Sequence, residues 1–167
     1  MKDMNYSKFN DYLVDNDLYF FFSHHSLQNY SNKPKNYSRI IFIDHFKYPF
    51  YDPSSFMKSV TILINDYSAS STDFSILKKP QIFYMPDYKR YNDHKGFLED
   101  YRKHLIGFEV KDYKSFIFYI DKCMKNKNFY LKRFNKKILN FQKKYYENSN
   151  IESCKLLEKF IKNLLKI

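Results

Sequence analysis

The sequence contains only two cysteines, Cys123 and Cys154, among its 167 residues. Two cysteines are too few for a disulfide framework, and these two lack the short spacing of metal ligands. The sequence therefore predicts neither a disulfide scaffold nor a metal site. It fits a reducing compartment such as the cytosol.

Glycine and tryptophan are also scarce, with two glycines and no tryptophan in the chain. Lys, Asn, Ile and Tyr dominate instead, a composition typical of AT-rich coding sequences. That bias weakens any argument that depends on Lys or Asn counts alone. Phe and Tyr make up 21% of the residues, which is enough apolar area for one domain with a real core.

Long hydrophobic runs are missing as well. No stretch approaches 18 consecutive apolar residues, and the first residues, MKDMNYSKFNDY, lack the apolar segment of a signal peptide. We therefore expect a cytoplasmic protein without a membrane-spanning helix. Peripheral attachment to the inner face of the plasma membrane is compatible with this expectation.

Positive charge is concentrated in the C-terminal part of the chain. Residues 1–100 contain 12 Lys or Arg and 12 Asp or Glu, whereas residues 101–167 contain 17 and 6. A basic face of this kind binds anionic lipid, nucleic acid or another polyanion, or is simply a solvated helical surface. Only four of the 29 cations are Arg, so a nucleic-acid partner is not expected.

Short apolar runs predict strands at residues 18–22, 39–43, 60–64, 81–85 and 106–110. Their continuous apolarity is typical of strands that are covered on both faces of a parallel sheet. Helical patterns occupy residues 9–14, 54–59 and 70–78, and the pattern is helical throughout after residue 112. The sequence thus predicts an α/β fold.

In this prediction, residues 1–115 form a Rossmann-like parallel sheet, and residues 116–167 form a basic helical segment of the same domain. The chain opens with a helical pattern, whereas doubly wound domains normally open with a strand. We therefore expect the first βα unit of the domain to be missing.

Small hydroxyl residues crowd the junction between the third predicted strand and the helix after it, at Ser68, Ser70, Ser71 and Thr72. Hydroxyls and the free N–H groups of a helix start, at the carboxyl end of a strand, suit a bound phosphate. A structural role is the alternative, because Ser70 and Asp73 have the spacing of a capping box. The residues alone leave both interpretations open.

Residues 62–101 read ILINDYSASSTDFSILKKPQIFYMPDYKRYNDHKGFLEDY. The informative positions are, in order, Asp66-Tyr67-Ser68, Asp73-Phe74, Lys79-Pro80, Phe83-Tyr84, Asp87-Tyr88, Tyr91, Gly96-Phe97 and Asp100-Tyr101. In residue type and spacing this stretch resembles the C-terminal domain of the CDP-glycerol glycerophosphotransferase family, the teichoic-acid and capsule polymerases. So many matches over ~40 residues are more specific than a short motif.

The resemblance implies the C-terminal, donor-binding half of a GT-B architecture with two Rossmann-like domains. The implied reaction transfers a polyol phosphate from CDP-glycerol or CDP-ribitol to a teichoic-acid or capsule polymer and releases CMP. It implies no cofactor besides this donor substrate.

By position in the family pattern, Ser68 and Ser70 would hold the donor pyrophosphate together with the N–H groups that follow, and Ser71 would lie beside them. Asp73 would bind the ribose hydroxyls, as GT-B enzymes place an acid there. Lys95 would add a further cation, although a solvated lysine is the alternative.

Three more candidates complete the expected site. His24 or His25, at the end of the first predicted strand, would meet the donor phosphates as the catalytic histidine. An ordinary loop role is the alternative for this pair. Asp66 would belong to the donor site, or would brace the turn by binding local backbone.

Several positions depart from the family pattern. Ala69 replaces the second serine of a Ser-Ser pair, Phe22 and Ser23 stand where a basic residue usually precedes the histidine, and Lys95 replaces an arginine. The sequence has no counterpart of the family's acceptor domain, which we expect in another chain. The alternatives are a truncated, inactive nucleotide- or phosphate-binding remnant, or a basic module for membrane or nucleic acid.

Overall fold

The structure is a computed structural model that describes residues 4–23, 36–43, 52–97, 100–146 and 153–165. The chain divides into two compact units, Met1–Pro53 and Ser54–Ile167. Each unit contains its own parallel sheet.

The described part of the first unit contains a helix and two parallel strands: α1 (Tyr6–Asp15), β1 (Phe20–Phe22) and β2 (Ile40–Phe42). Asn5 caps α1, because its side-chain oxygen accepts a hydrogen bond from the N–H of Lys8 at 3.0 Å. Phe9 and Leu13, four residues apart, form the buried face of the helix. Phe9 packs edge-to-face on Phe20 of β1 at 5.2 Å.

The second unit contains a three-stranded parallel sheet in the order β3 (Leu63–Asn65), β4 (Gln81–Tyr84) and β5 (Phe108–Val110). Ile64 lies opposite Ile82, and Phe83 lies opposite Glu109. Every residue of the central strand β4 is buried, as expected for a parallel strand that is covered on both faces.

The remaining elements are helices: α2 (Pro53–Met57), α3 (Ser70–Ser75), α4 (Tyr88–His94), α5 (Tyr101–His104), α6 (Tyr113–Lys125), α7 (Lys127–Tyr145) and α8 (Ser153–Leu165). Side-chain caps start the two long helices that follow the sheet. Asp112 accepts from the N–H of Ser115 at 2.8 Å, and Asn126 accepts from the N–H of Asn128 at 3.1 Å.

Helices α6 and α7 cover the end of the sheet at β5. Their contact is a hydrophobic cluster of Ile106, Phe108, Cys123, Tyr130 and Ile138, all of them buried. The Tyr130 phenol donates a hydrogen bond to the carbonyl of Ile106, so its polar atom is satisfied inside the core. The cluster thereby anchors α7 to the chain segment that enters β5.

Gly107 lies where the chain passes closest to β4. A Cβ atom at this position would lie 2.3 Å from the carbonyl oxygen of Gln81, so no larger residue fits without a backbone shift. Gln81 is itself fully buried, and its Nε2 donates to the carbonyl of Ser71 at 3.1 Å. This bond ties β4 to α3.

The α/β fold with parallel strands is confirmed, and so is the helical C-terminal part. Strands occur in all five predicted places, but each has only three or four residues. Helix α3 ends at Ser75, before the predicted end at residue 78. The N–H groups of Ile76, Leu77 and Lys78 bond to carbonyls three residues back, as in a tighter turn, and Lys78 then adopts a positive φ of 51°. None of the helices in the described ranges is both long and apolar enough to cross a membrane.

Helices α4 and α5 were not predicted from the sequence. They have seven and four residues, and neither contains a buried residue. Short helices without a buried face carry no apolar periodicity, which is the signal on which the prediction depended.

Candidate functional site

The candidate site lies at the carboxyl edge of the second sheet. Asp66 and Tyr67 follow β3, and Asp87 follows β4, so parallel strands bring both loops to the same edge. The Tyr67 phenol donates to the Asp87 carboxylate at 2.9 Å. The two loops therefore meet directly.

Two serine hydroxyls form the centre of the site. The Oγ atoms of Ser68 and Ser70 lie 3.0 Å apart, and Ser68 Oγ accepts a hydrogen bond from the Ser70 N–H at 3.3 Å. The buried side chain of Asn65 supports the loop by donating to the Ser68 carbonyl at 3.0 Å. Because Ser68 is exposed, the hydroxyl pair is open to a ligand from solvent.

The capping-box interpretation of Ser70 and Asp73 is wrong. Ala69 is the residue at the start of α3, its dihedrals are already helical (φ −64°, ψ −13°), and no side chain caps the helix from that position. The Asp73 carboxylate, which the capping box requires at the helix start, instead accepts a hydrogen bond from the Tyr146 phenol at 2.8 Å. The prediction failed because a tertiary partner competed for the carboxylate.

The end of α7 holds α3 at two points. Besides the bond between Tyr146 and Asp73, Gln142 Nε2 donates to the Ser75 carbonyl at 2.6 Å. Burial, and then the hydrogen bond to Asp73, raise the pKa of Tyr146 to about 12. The phenol is therefore a hydrogen-bond donor throughout the neutral range, and it orients the exposed Asp73 carboxylate.

Asp66 and Ser71 both accept hydrogen bonds from other residues of the fold. Asp66 Oδ1 accepts from the N–H of Tyr67 at 2.6 Å, which is the local bracing that the structural interpretation predicted. The Asp66 carbonyl accepts from the Tyr101 phenol at 2.9 Å. Ser71 is buried, and its carbonyl accepts the hydrogen bond from Gln81.

The remaining candidates lie apart from the serine pair or outside the described residues. Lys95 is exposed at the end of α4, before Gly96 with its φ of +70°. Within the part of the chain that the structure describes, no hydrogen bond or ion pair joins Lys95 to the serine pair. His24 and His25 fall outside the described residues.

An aromatic cluster supports the loops on the β4 side. It consists of Tyr67, Tyr88, Tyr91, Phe97 and Tyr101. Tyr67 stacks on Tyr91 at 3.9 Å, and Phe97 stacks on Tyr101 at 4.8 Å. Burial raises the pKa of Tyr67 and of Tyr101 well above the usual tyrosine value, so both phenols remain donors.

The sequence had given these aromatic residues only as separate matches to a pattern. Their dense spacing in residues 88–101 was the signal that could have predicted one cluster. Tyr146 and Gln142 carried no such signal, because more than 60 residues separate each of them from its partner on α3.

Solved structures with a similar fold include the wall teichoic acid polymerase TagF. One TagF structure matches with a TM-score of 0.67 and 23% sequence identity, over 95% of this chain and 39% of that chain. A TagF variant soaked with CDPG matches with a TM-score of 0.51 and 20% identity, over 83% of this chain and 42% of that chain. These matches agree with the α/β fold.

Two curated relatives have teichoic-acid names. A teichoic acid glycerol-phosphate transferase of Staphylococcus aureus (strain NCTC 8325 / PS 47) is 45% identical over 56 residues, 33% of this chain and 14% of that protein. A teichoic acid glycerol-phosphate primase of Bacillus subtilis (strain 168) is 34% identical over 94 residues, 56% of this chain and 23% of that protein. The matched segments thus make up less than a quarter of either relative.

The match to a whole family extends much further along the chain. The sequence pattern of the family described as CDP-Glycerol:Poly(glycerophosphate) glycerophosphotransferase covers residues 1–162. The resemblance seen in residues 62–101 is thereby confirmed, and the chain belongs to the CDP-glycerol:poly(glycerophosphate) glycerophosphotransferase family.

Proposed function

We propose that the chain is the donor-binding part of a CDP-polyol phosphotransferase, which transfers polyol phosphate to a teichoic-acid or capsule polymer. The observation that carries the proposal is the exposed pair of Ser68 and Ser70 hydroxyls, 3.0 Å apart, at the start of α3. The names of the relatives refer to glycerol-phosphate transfer, and one similar structure was soaked with CDPG. Both facts support a CDP-glycerol donor.

In this proposal the serine pair holds the donor pyrophosphate. Each hydroxyl can donate to a phosphate oxygen. At the start of α3 the Ser70 N–H already donates to Ser68 Oγ at 3.3 Å. The Thr72 N–H donates to the Ala69 carbonyl at 2.8 Å, so the hydroxyls are the main donors. Helix α3 has only six residues, so its dipole is small, and we assign most of the binding to these direct hydrogen bonds.

Asp73 would bind the ribose. Tyr146 already occupies Oδ1, so a ribose hydroxyl would donate to Oδ2. Because the hydrogen bond from Tyr146 fixes the orientation of the Asp73 carboxylate, Oδ2 would already be oriented for the ribose hydroxyl before the donor binds. Tyr146 is therefore a positioning residue in this proposal.

The transfer itself is a phosphoryl displacement. An acceptor hydroxyl oxygen bonds to the phosphorus of the polyol phosphate, the bond from that phosphorus to CMP breaks, and the acceptor proton leaves to a base. Positioning and neutralisation of charge supply most of the catalysis in such reactions. His24 or His25 would meet the donor phosphates and Lys95 would add positive charge, with Asp66 and Ser71 shaping the loop beneath.

The acceptor and the place of reaction are part of the same proposal. The matched segments make up at most 23% of the curated relatives described above. In this proposal a domain outside residues 1–167 positions the reacting hydroxyl of the acceptor. The reaction would occur in the cytoplasm, at the inner face of the plasma membrane.

The test is the thermal stability of the chain with CMP, CDP, CDP-glycerol and UDP. A working site predicts stabilisation by cytidine ligands over UDP, of ~2.7 kcal/mol at a ligand concentration of ~100 times the dissociation constant. Ser68→Ala and Asp73→Ala should each reduce the stabilisation. Ser38→Ala, at an exposed serine of the first unit, is the matched control and should leave it unchanged.

Two results would contradict the proposal. A folded protein that no cytidine ligand stabilises would show that the serine pair does not form a working donor pocket. Binding that depends steeply on salt and shows no preference among nucleotides would indicate a basic module instead.

A further inference from the structure

Helix α7 is basic along its whole length. It contains seven basic residues and no acidic one: Lys127, Lys132, Arg133, Lys136, Lys137, Lys143 and Lys144. The buried side of the helix is fixed by Tyr130 and Ile138, which are 1% and 0% exposed. At 100° per residue, Lys132, Lys136 and Lys143 fall on the opposite side.

We call five of the exposed cations of α7 its basic face: three lie opposite the buried side, and Arg133 and Lys137 lie to one side of them. The guanidinium of Arg133 also lies 5.9 Å from the rings of Phe108 and Phe134. Its members are Lys132, Arg133, Lys136, Lys137 and Lys143, and all five are exposed. From residue 132 to residue 143 the face extends ~16 Å along the helix.

The basic face consists of cations without a counter-charge among the described residues, on a helix that contains no acidic residue. Ion pairs hold lysines elsewhere, at 3.7 Å for Lys103 with Asp100, 3.8 Å for Lys111 with Glu109, and 3.7 Å for Lys125 with Asp121. No described residue forms an ion pair with any member of the basic face. Exposed lysines outside α7, such as Lys58, Lys89 and Lys122, also lack an ion pair with a described residue. What sets α7 apart is that five such cations follow one another along a single helix, so that their combined charge is available to an external anion.

The spacing of the face suits a flexible chain of phosphodiesters. Lys132 and Lys136 lie one helical turn apart, ~6 Å along the axis. A glycerol phosphate repeat contains six backbone bonds, and since three bonds of a protein backbone span ~3.5 Å, the repeat spans ~7 Å. Lys132 and Lys136 can therefore meet successive phosphates, whereas Lys143, ~10.5 Å further along the axis, requires a change in the conformation of the flexible polymer.

Two other polyanions fit the face less well. Single-stranded nucleic acid is usually bound by aromatic side chains that stack on bases, and the five members of the face include none. A membrane-binding helix inserts apolar side chains among its cations. The large exposed hydrophobic residues of α7 are Leu139 and Tyr145, each at 46% exposure, and at 100° per residue Tyr145 falls on the buried side of the helix.

We propose that the basic face of α7 binds the polyol-phosphate polymer, an inference that rests on the proposed function. The polymer carries one negative charge per repeat and would lie along the helix. The C-terminal end of α7 contacts α3 through Gln142 and Tyr146. A polymer that follows α7 toward that end is thus led to the helix that carries the serine pair.

The experiment measures the dissociation constant of fluorescently labelled poly(glycerol phosphate) over a range of salt concentrations. The test variant combines Lys132→Gln, Lys136→Gln and Lys143→Gln. The control combines Lys103→Gln, Lys111→Gln and Lys125→Gln, which removes the same charge from ion-paired positions. Gln keeps helix propensity close to that of Lys, and circular dichroism verifies that both variants are folded.

We expect the test variant to lose affinity at least ~10-fold and to lower the salt slope by about two, since three phosphate contacts disappear. The control should lose less than ~3-fold. Equal losses in both variants would overturn the proposal, because net charge alone would then explain binding. The proposal would also be overturned if the test variant weakened binding to oligo(dT), or to phosphatidylglycerol vesicles, as strongly as binding to the polymer.

The same variants separate this inference from the donor site. Stabilisation by CDP-glycerol should be unchanged in both, because neither touches the serine pair. If the test variant loses polymer binding but is still stabilised by CDP-glycerol, the polymer binds to α7. If cytidine ligands stabilise neither the wild type nor the two variants, the donor proposal is contradicted, whether or not the polymer binds.

Discussion

Asp73 and Tyr146 are far apart in the sequence, yet a single hydrogen bond of 2.8 Å joins their side chains. This hydrogen bond determines the role of the Asp73 carboxylate. It removes Asp73 from helix capping, leaves one carboxylate oxygen for a ligand, and orients that oxygen. The phenol of Tyr146, the residue that follows α7, therefore belongs to the candidate site together with Ser68 and Ser70.

Tyr146→Phe tests this positioning role. We expect CDP-glycerol to bind about 3- to 10-fold more weakly, the equivalent of losing one hydrogen bond of ~1 kcal/mol. The melting temperature without ligand should change little, because the bond lies at the surface. Tyr145→Phe, at the neighbouring tyrosine with 46% exposure, is the control. Equal dissociation constants for wild type and Tyr146→Phe would exclude a positioning role.

Cys123 gives the fold a pH dependence. Burial raises the pKa of this thiol from 9.0 to about 11. Between these values the unfolded chain has lost its thiol proton while the folded chain keeps it, so the free energy of unfolding must fall as the pH rises. Its contribution is fully present below pH 9 and disappears through pH 11.

Urea unfolding at pH 8 and at pH 10.5 measures the effect. We expect wild type to lose about 1–2 kcal/mol more than Cys123→Ala over this range. The raised pKa of Tyr130 acts in the same direction at higher pH, and it is present in both proteins. An identical loss in both would show that the thiol ionises as readily in the folded protein as in the unfolded one.

At the scale of elements, α7 combines three functions in 19 residues. One side closes the core over β5, the opposite side presents the basic face, and the end near Gln142 holds α3. Because the same helix packs on the core and contacts α3, a substitution on its buried side should disturb both the core and the candidate site.

Ile138→Ala and Leu139→Ala form a matched pair on α7. Ile138 is fully buried, whereas its neighbour Leu139 is 46% exposed. We expect Ile138→Ala to lower the free energy of unfolding by ~2–4 kcal/mol because it leaves a cavity, and Leu139→Ala by less than ~1 kcal/mol. Chemical denaturation measures both. Similar values for the two would mean that α7 is not packed on the sheet in this register.

Burial helps to explain which elements could be predicted from the sequence. The strand around β4 was predicted within one residue, because continuous apolarity marks a strand that is covered on both faces. Helices α4 and α5 were missed because they are short and contain no fully buried residue. In the site, the serine pair was predicted from its place after a strand, whereas Tyr146 and Gln142 were not, since only tertiary packing brings them to α3.

At the scale of the whole molecule, the net charge of +11 comes from the region after residue 100. The serine pair and Asp73 precede that region, although Tyr146 reaches Asp73 from it. If both proposals hold, a locally shaped site binds a small anion and a separate broad surface binds a large one. The two should respond differently to ionic strength.

Salt titration tests this separation. Between 50 and 500 mM NaCl we expect the dissociation constant of poly(glycerol phosphate) to rise by more than ~100-fold, and that of CDP-glycerol by less than ~10-fold, because the polymer releases many more counterions. Isothermal titration calorimetry measures both on the same protein. Parallel salt slopes would indicate that both ligands compete for one surface.

Gly107, one of only two glycines in the chain, has a consequence for evolution. Its codons are GC-rich, so the AT bias that shaped this composition works against it, and only purifying selection on the close approach to Gln81 would retain it. A gene released from that selection would lose this glycine early. Sequencing the locus across many isolates would therefore date the end of selection on the fold, if it has ended, without any assay of catalysis.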